Sequence, residues 1–244
     1  MVPMTRDVLK SETDGPVTLV TLTRPERRNA LDAEVCTAVT AALSGTGPGT
    51  RAVLLRGEGP AFCAGANLNG GVYEDDFFTA LEKMLTTVTE LPVPVIADIQ
   101  GPAVGAGCQL ALACDLRVTG PGAQLWIPAV DHGFALDPWT VSRAVELLGG
   151  SVARNMLIAG ERIGAGEITA TGFATRAGTP GDALAFAREV AAQAPLATAW
   201  FKKALNRPGD PALAREAAAC WSSRDVKEAR EARAGHRAPV FEGR

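Results

Sequence analysis

The sequence predicts an α/β domain continued by a helical C-terminal region, and three observations carry that prediction. Short β-rich runs alternate with helical stretches over the first two thirds of the chain. Two of the turns between them are rich in small residues. Beyond Asp137 the pattern becomes helical and alanine-rich, which favours helix and close helix packing. No low-complexity linker intervenes, so we expect one core over residues 1–190 and a helical extension over 191–244.

Val17–Thr23 (VTLVTLT) reads as a strand, followed by the turn RPERRN. Leu31, Val35, Val39 and Leu43 then recur every four residues, marking one apolar helix face. Ala52–Arg56 is a second buried strand, stopped by Gly57-Glu58-Gly59-Pro60. Phe77, Leu81, Met84, Leu85 and Val88 give another helix, closed by Leu91-Pro92-Val93-Pro94. Val95–Ile99 is a strand running into Gly101-Pro102, Cys108–Ala113 a buried helix, and Leu116–Thr119 a further strand. The late helices are Pro138–Leu148, Val152–Ala159, Ala165–Ala170, Asp182–Ala194, Leu196–Leu205, Pro211–Ser222 and Asp225–Ala234.

Length and composition narrow the function classes. The 244 residues suit one sizeable core, and 47% apolar with 21% charged residues is globular composition rather than disorder. A net charge of -3 without a basic stripe argues against nucleic acid. The polar start MVPMTRDVLKSETDG lacks a signal-peptide core, and no apolar run spans a bilayer, so a cytoplasmic protein is expected. Five cysteines without C-x-x-C spacing read as reduced and structural. Two histidines, His132 and His236, are too few and too far apart for a metal site.

Two stretches stand out chemically: Phe62-Cys63-Ala64-Gly65-Ala66-Asn67-Leu68, and Gly101-Pro102-Ala103-Val104-Gly105-Ala106-Gly107-Cys108. Small side chains leave main-chain N–H groups accessible, and a helix start adds free donors with a partial positive charge. Two such donors aimed at one point form an oxyanion hole. The second stretch alone reads equally as a tight turn with close helix packing.

In that order the motifs resemble the crotonase (enoyl-CoA hydratase/isomerase) superfamily along essentially the whole chain. The segments are Leu22-Thr23-Arg24-Pro25-Glu26-Arg27-Arg28-Asn29-Ala30-Leu31, Ala61–Leu68, Pro94–Ala97 into Gly101–Gly107, and Ala113-Cys114-Asp115-Leu116-Arg117. Later come Gly160–Ile163, Thr171–Ala174 and Arg237-Ala238-Pro239-Val240-Phe241-Glu242-Gly243. The resemblance implies a spiral core of ββα units and a C-terminal helical region that forms a homotrimer, often a dimer of trimers. It implies oxyanion donors at the N–H groups of Ala66 and Ala106. Coenzyme A, part of the substrate and the one cofactor-like group expected, would lie along Ala64, Gly65 and Leu68. Arg27 or Arg28 would approach its phosphates, and Arg237 would reach a neighbouring subunit. Each arginine also reads as a solvated surface charge.

The chain departs from the family at both hydratase glutamates, which are replaced by Gln109 and Ala129. A carboxamide does not titrate near neutral pH and a methyl group has no proton to exchange, so two-glutamate hydration is not expected. Gln109 is read as an orienter of water or of a polar acyl group, or as a hydrogen-bonded structural residue. Asp137 matches an aspartate used in some branches, isomerases among them. Isomerisation needs one base and an oxyanion hole. Asp137-Pro138 is also a standard helix start, so capping and proton shuttling both stay open. An apolar setting among Phe134, Leu136 and Trp139 would make it the better base. Trp126 and Trp139 fall in segments near the acyl group but suit a core equally. His132 and Asp131 are read as structural or solvated, and Asn67, where aspartate is usual, as a local turn change. The expected function is acyl-CoA binding with isomerase-like proton shuttling in fatty acyl-CoA metabolism, with a non-catalytic acyl-CoA-binding protein as the alternative.

Overall fold

The structure, a computed structural model, describes residues 8–67 and 75–244. Its main sheet has six strands. They are β1 (Leu9–Asp14), β2 (Val17–Leu22), β3 (Ala52–Gly57), β4 (Val95–Ile99), β6 (Leu116–Thr119) and β9 (Arg176–Ala177), in that spatial order. β1 pairs antiparallel with β2, and every later pairing is parallel. A smaller sheet orders β5 (Pro102–Val104), β7 (Gln124–Trp126) and β8 (Ile163–Gly164).

The chain alternates between the sheets. β4 lies in the large sheet, β5 in the small one, and α3 (Ala106–Ala113) follows. β6 and β7 repeat the step before α4 (Ala129–His132). Each step is one ββα turn of a spiral. Two isolated parallel bridges, Leu31 with Ala66 and Cys63 with Ala103, carry the small layer beyond its formal edge. Both run through the small-residue stretches, so the second layer of the spiral is where those stretches meet.

The central strands read as continuous apolar runs because both faces of their sheet are covered. In β3, Val53 and Leu55 join the larger core, which includes Val35 and Val39 of α1 (Ala33–Ser44) and Met84 and Val88 of α2 (Asp75–Glu90). Ala52 and Leu54 face the other way, onto Ala183, Phe186 and Ala187 of α8 (Pro180–Ala191). β1 was not predicted, since LKSETD reads as polar; it is an edge strand whose residues are mostly exposed.

Among the helices beyond Asp137, α5 (Pro138–Leu148) and α7 (Ala165–Ala170) keep the bounds expected from sequence. The others, α6 (Gly150–Ile158), α8, α9 (Pro195–Asn206), α10 (Leu213–Trp221) and α11 (Arg224–Ala234), shift by one to three residues at their ends. Among the described residues no helix is long and apolar enough to cross a membrane.

Candidate functional site

The two small-residue stretches lie main chain against main chain. Cys63 N–H donates to Pro102 O at 3.2 Å, and Val104 N–H donates to Cys63 O at 2.9 Å. Gly65 has φ +88°, and a Cβ built on it would lie 2.6 Å from Val104 O and 3.5 Å from Ala106 N. A Cβ on Gly107 would lie 2.3 Å from Cys63 O. Any side chain at either position would push the strands apart.

This approach brings two free amides to one lip. Leu31 N–H donates to Gly65 O and Asn67 N–H donates to Leu31 O, both at 2.7 Å, so the bridge uses the groups on either side of the Ala66 amide. Ala106 is the first residue of α3, where an N–H has no intrahelical acceptor. Among the described residues neither amide has a hydrogen-bond partner. Ala66 is partly buried and Ala106 buried, so neither residue stands on open surface.

A bracket holds this lip from below. Arg28 and Asn29 both adopt left-handed backbone, φ 51° and 56°. Arg28 O accepts from Ala64 N–H at 2.9 Å, and Asn29 O accepts from the Cys63 thiol at 3.1 Å. The Asn29 side chain accepts from Arg24 N–H and donates to Glu58 O and Ala61 O. Asn29 is 1% exposed. The sequence alone assigns it no role; an asparagine inside a charged turn is the available signal. Burial pushes the Cys63 thiol up to about 12, so it stays protonated and serves as a donor. Arg27 and Arg28 are exposed beside this turn, and among the described residues neither forms an ion pair. Leu68 lies outside the described residues.

One helical turn from Ala106, Gln109 joins a closed polar network. Its Nε2 donates to Thr140 Oγ1 at 2.7 Å and to Asp137 Oδ2 at 3.2 Å. Thr140 Oγ1 donates to Asp137 Oδ2 at 2.6 Å, and Thr140 N–H donates to Asp137 Oδ1 at 2.9 Å. Asp137 is therefore the N-cap of α5. Thr140, which sequence reading missed, is fully buried and joins α3 to α5. The apolar setting that would make Asp137 the better base is not formed: Asp137, Phe134 and Trp139 are all exposed, Trp139 at 38%. Residues 130–135 and 137–139, from α4 to the first turn of α5, are exposed.

The remaining candidates are spread around the network. Ala129 is buried at the start of α4. Trp126 is partly buried, with the Arg162 guanidinium 4.5 Å from its ring centre. His132 is exposed and bonds Pro128 O. Arg237 is paired with Glu228 of its own chain through two contacts, 2.5 and 2.8 Å. Among the described residues no group of three His, Cys, Asp or Glu side chains could hold a metal ion.

The sequence profile of the family described as Enoyl-CoA hydratase/isomerase matches residues 12–243. The chain is 42% identical over 233 residues to the probable enoyl-CoA hydratase echA6 of Mycobacterium tuberculosis, covering 93% of this chain and 96% of that protein. The protein of the same name from Mycobacterium leprae is 39% identical over 243 residues, covering 96% and 98%. The crystal structure of an enoyl-CoA hydratase/carnithine racemase from Magnetospirillum magneticum superposes with a TM-score of 0.89 at 28% identity, covering 98% of this chain and 97% of that one.

Proposed function

This chain belongs to the enoyl-CoA hydratase/isomerase (crotonase) family, and from that membership we propose that it binds an acyl-CoA thioester with the carbonyl oxygen held by the N–H groups of Ala66 and Ala106. One observation carries the reading: Gly65 packs against Val104 and Ala106 with both amides left without partners. Two preset donors favour an oxygen that gains negative charge, and the amino end of α3 adds its partial positive charge to the same spot. Arg27 and Arg28, exposed beside Ala64, are suited to meet the coenzyme A phosphates.

Efficient hydration is not part of the proposal. Adding water across a double bond needs a group that takes a proton from water and one that delivers a proton to carbon. Gln109 and Ala129 stand where the family uses glutamates, and neither side chain exchanges protons near neutral pH. Removing general acid–base help costs about 10²–10⁴ in rate.

The binding reading is favoured over turnover by the state of Asp137, whose oxygens accept three hydrogen bonds within the protein. A carboxylate so engaged is a helix cap first. A second reading, double-bond isomerisation with Asp137 moving one proton, rests on its exposure next to Gln109. The two readings separate in one experiment. Calorimetry with acyl-CoA, run beside absorbance assays of 2-enoyl-CoA and 3-enoyl-CoA interconversion, should show binding with little or no turnover. Turnover that disappears in Asp137→Asn selects the isomerase. Absence of acyl-CoA binding rejects both.

A further inference from the structure

The strand β4 reads Val95-Ile96-Ala97-Asp98-Ile99, and its one carboxylate is buried at 3% exposure. Asp98 shares the sheet face of Ile96, which packs in the core beneath α8. Among the described residues its one hydrogen-bond donor is Gln100, whose Nε2 lies 2.6 Å from Oδ1. Arg56, its register partner on β3, spends Nε on Thr21 Oγ1 and forms no ion pair with it among the described residues. Burial pushes the Asp98 carboxyl up, and the Gln100 bond and then Arg56 oppose that shift. Burying a carboxylate with one hydrogen bond and no ion pair works against stability.

Gln100 stands where the chain leaves the large sheet for the small one, between β4 and β5. Its Nε2 also donates to Gly178 O at 3.1 Å, and a carbonyl only accepts, so the amide cannot turn over. Its Oε1 lies across Gly120, where an added Cβ would stand 2.2 Å away, and its main-chain oxygen lies 2.8 Å from a Cβ built on Gly122. The next residue, Gly101, presses on Pro60, with a built Cβ 2.1 Å from Pro60 O. Three passages out of the large sheet, after β3, β4 and β6, therefore meet at this one residue. Main-chain bonds carry the contact onward: Cys63 N–H to Pro102 O, Val104 N–H to Cys63 O and Gly105 N–H to Trp126 O. Those bonds lie in the stretches that present the Ala66 and Ala106 amides. We infer that Asp98 is a positioning residue for the proposed carbonyl site: as an acceptor it aims Gln100, and Gln100 fixes how the turns carrying the two amides leave the large sheet. The inference rests on the acyl-thioester reading above and adds to it a residue that controls the aim of both donors. Hydrogen bonds weaken steeply with misalignment, so a small shift of these turns is felt at the ligand oxygen.

The test compares each thioester with the thioether that lacks its carbonyl oxygen, by calorimetry on the full chain: butyryl-CoA with S-butyl-CoA, and hexadecanoyl-CoA with S-hexadecyl-CoA. Two amide hydrogen bonds should make the thioester of a pair about 5- to 100-fold tighter in the unmodified protein. Asp98→Leu fills the same space without an acceptor and should cut that ratio by about 3-fold or more, with the thioether's affinity unchanged. Asp98→Asn still offers Gln100 an oxygen and should keep the ratio within about 2-fold of the unmodified value. A merely structural role would weaken both members alike or lower only the folded fraction, and would leave the ratio intact. A ratio unchanged in Asp98→Leu, or one lost equally in Asp98→Asn, would overturn the inference while acyl-CoA binding still stands. Should Asp98→Leu not fold, Gln100→Met removes the same bond from its half-buried partner and decides by the same ratio. A ratio near one in the unmodified protein, or no binding by any of the four ligands, would instead reject the oxyanion reading and this inference with it.

Discussion

Asn29 does more for the site than any residue that faces it. Its side chain makes three hydrogen bonds, its carbonyl takes the Cys63 thiol, and its left-handed backbone turns the chain under the lip. Asparagine suits that conformation because its short polar group bonds locally, whereas alanine pays about 1 kcal/mol there. Asn29→Ala also leaves Glu58 O and Ala61 O without their donor. We expect a loss of about 3 kcal/mol in chemical denaturation, with acyl-CoA affinity falling in the fraction that stays folded. A loss below about 1 kcal/mol would mean that water replaces the bracket. Residue 109 belongs to the same scale: the Gln109 carboxamide donates to both Thr140 and Asp137, which fixes the side chain's direction.

At the scale of elements, α3 is the beam of the site. Its first residue presents the Ala106 amide, and its far end is met by buried cations. Arg143 Nε donates to Leu112 O and Arg117 Nη1 to Cys114 O, which satisfies carbonyls that a helix end leaves open. Next to them Lys202 of α9 pairs with Asp115 at 2.8 Å and donates to Val88 O and Val93 O. Asp115 in turn accepts from Val95 N–H. Burial pushes the Asp115 carboxyl up and the Lys202 ammonium down, and their mutual attraction opposes both shifts. Lys202 is 6% exposed, and with Asn206, which donates to Thr89 O, it fastens α9 to the end of α2 and the start of β4. Lys202→Met strands a buried carboxylate and should cost about 3–5 kcal/mol. Hydrogen exchange should then show faster opening of α9 than of β3. Unchanged exchange in α9 would show that apolar packing alone holds that helix.

For the molecule as a whole, the C-terminal tail is a returning strap. Asp225 accepts from Glu242 and Gly243 N–H groups, Arg51 donates to Phe241 O, and Glu228 accepts from Arg237 and Val240 N–H. Arg237 and the Val240 amide lower the Glu228 carboxyl from 4.5 to about 2. A depressed carboxyl stabilises the folded arrangement above its unfolded value, and that contribution fades as pH falls through the folded one. The strap should therefore be tight at pH 5 and above and loosen between about pH 4.5 and 2. Hydrogen exchange of residues 236–244 across that range checks it, and Glu228→Gln should abolish the pH dependence. If the tail instead loosens on raising the pH, the assigned pairing is wrong.

The sequence by itself determined the alternating α/β pattern, the strands Val95–Ile99 and Leu116–Thr119, and the helices of the second half. It did so because buried parallel strands and amphipathic helices write their periodicity into neighbouring residues. It also marked both small-residue stretches and the uncharged residues Gln109 and Ala129, since these are matters of residue type. Only the tertiary structure decided that the stretches pack main chain to main chain, and that Asp137 is an exposed cap of α5. β1, β5, β7, β8 and β9 were likewise illegible: each is an edge strand or only two or three residues long, defined by its pairing partner rather than by its own pattern. Thr140 carried no signal for the same reason. Its place between Gln109 and Asp137 exists only once α3 and α5 are brought together, and no local period encodes which hydroxyl closes a network across 31 residues.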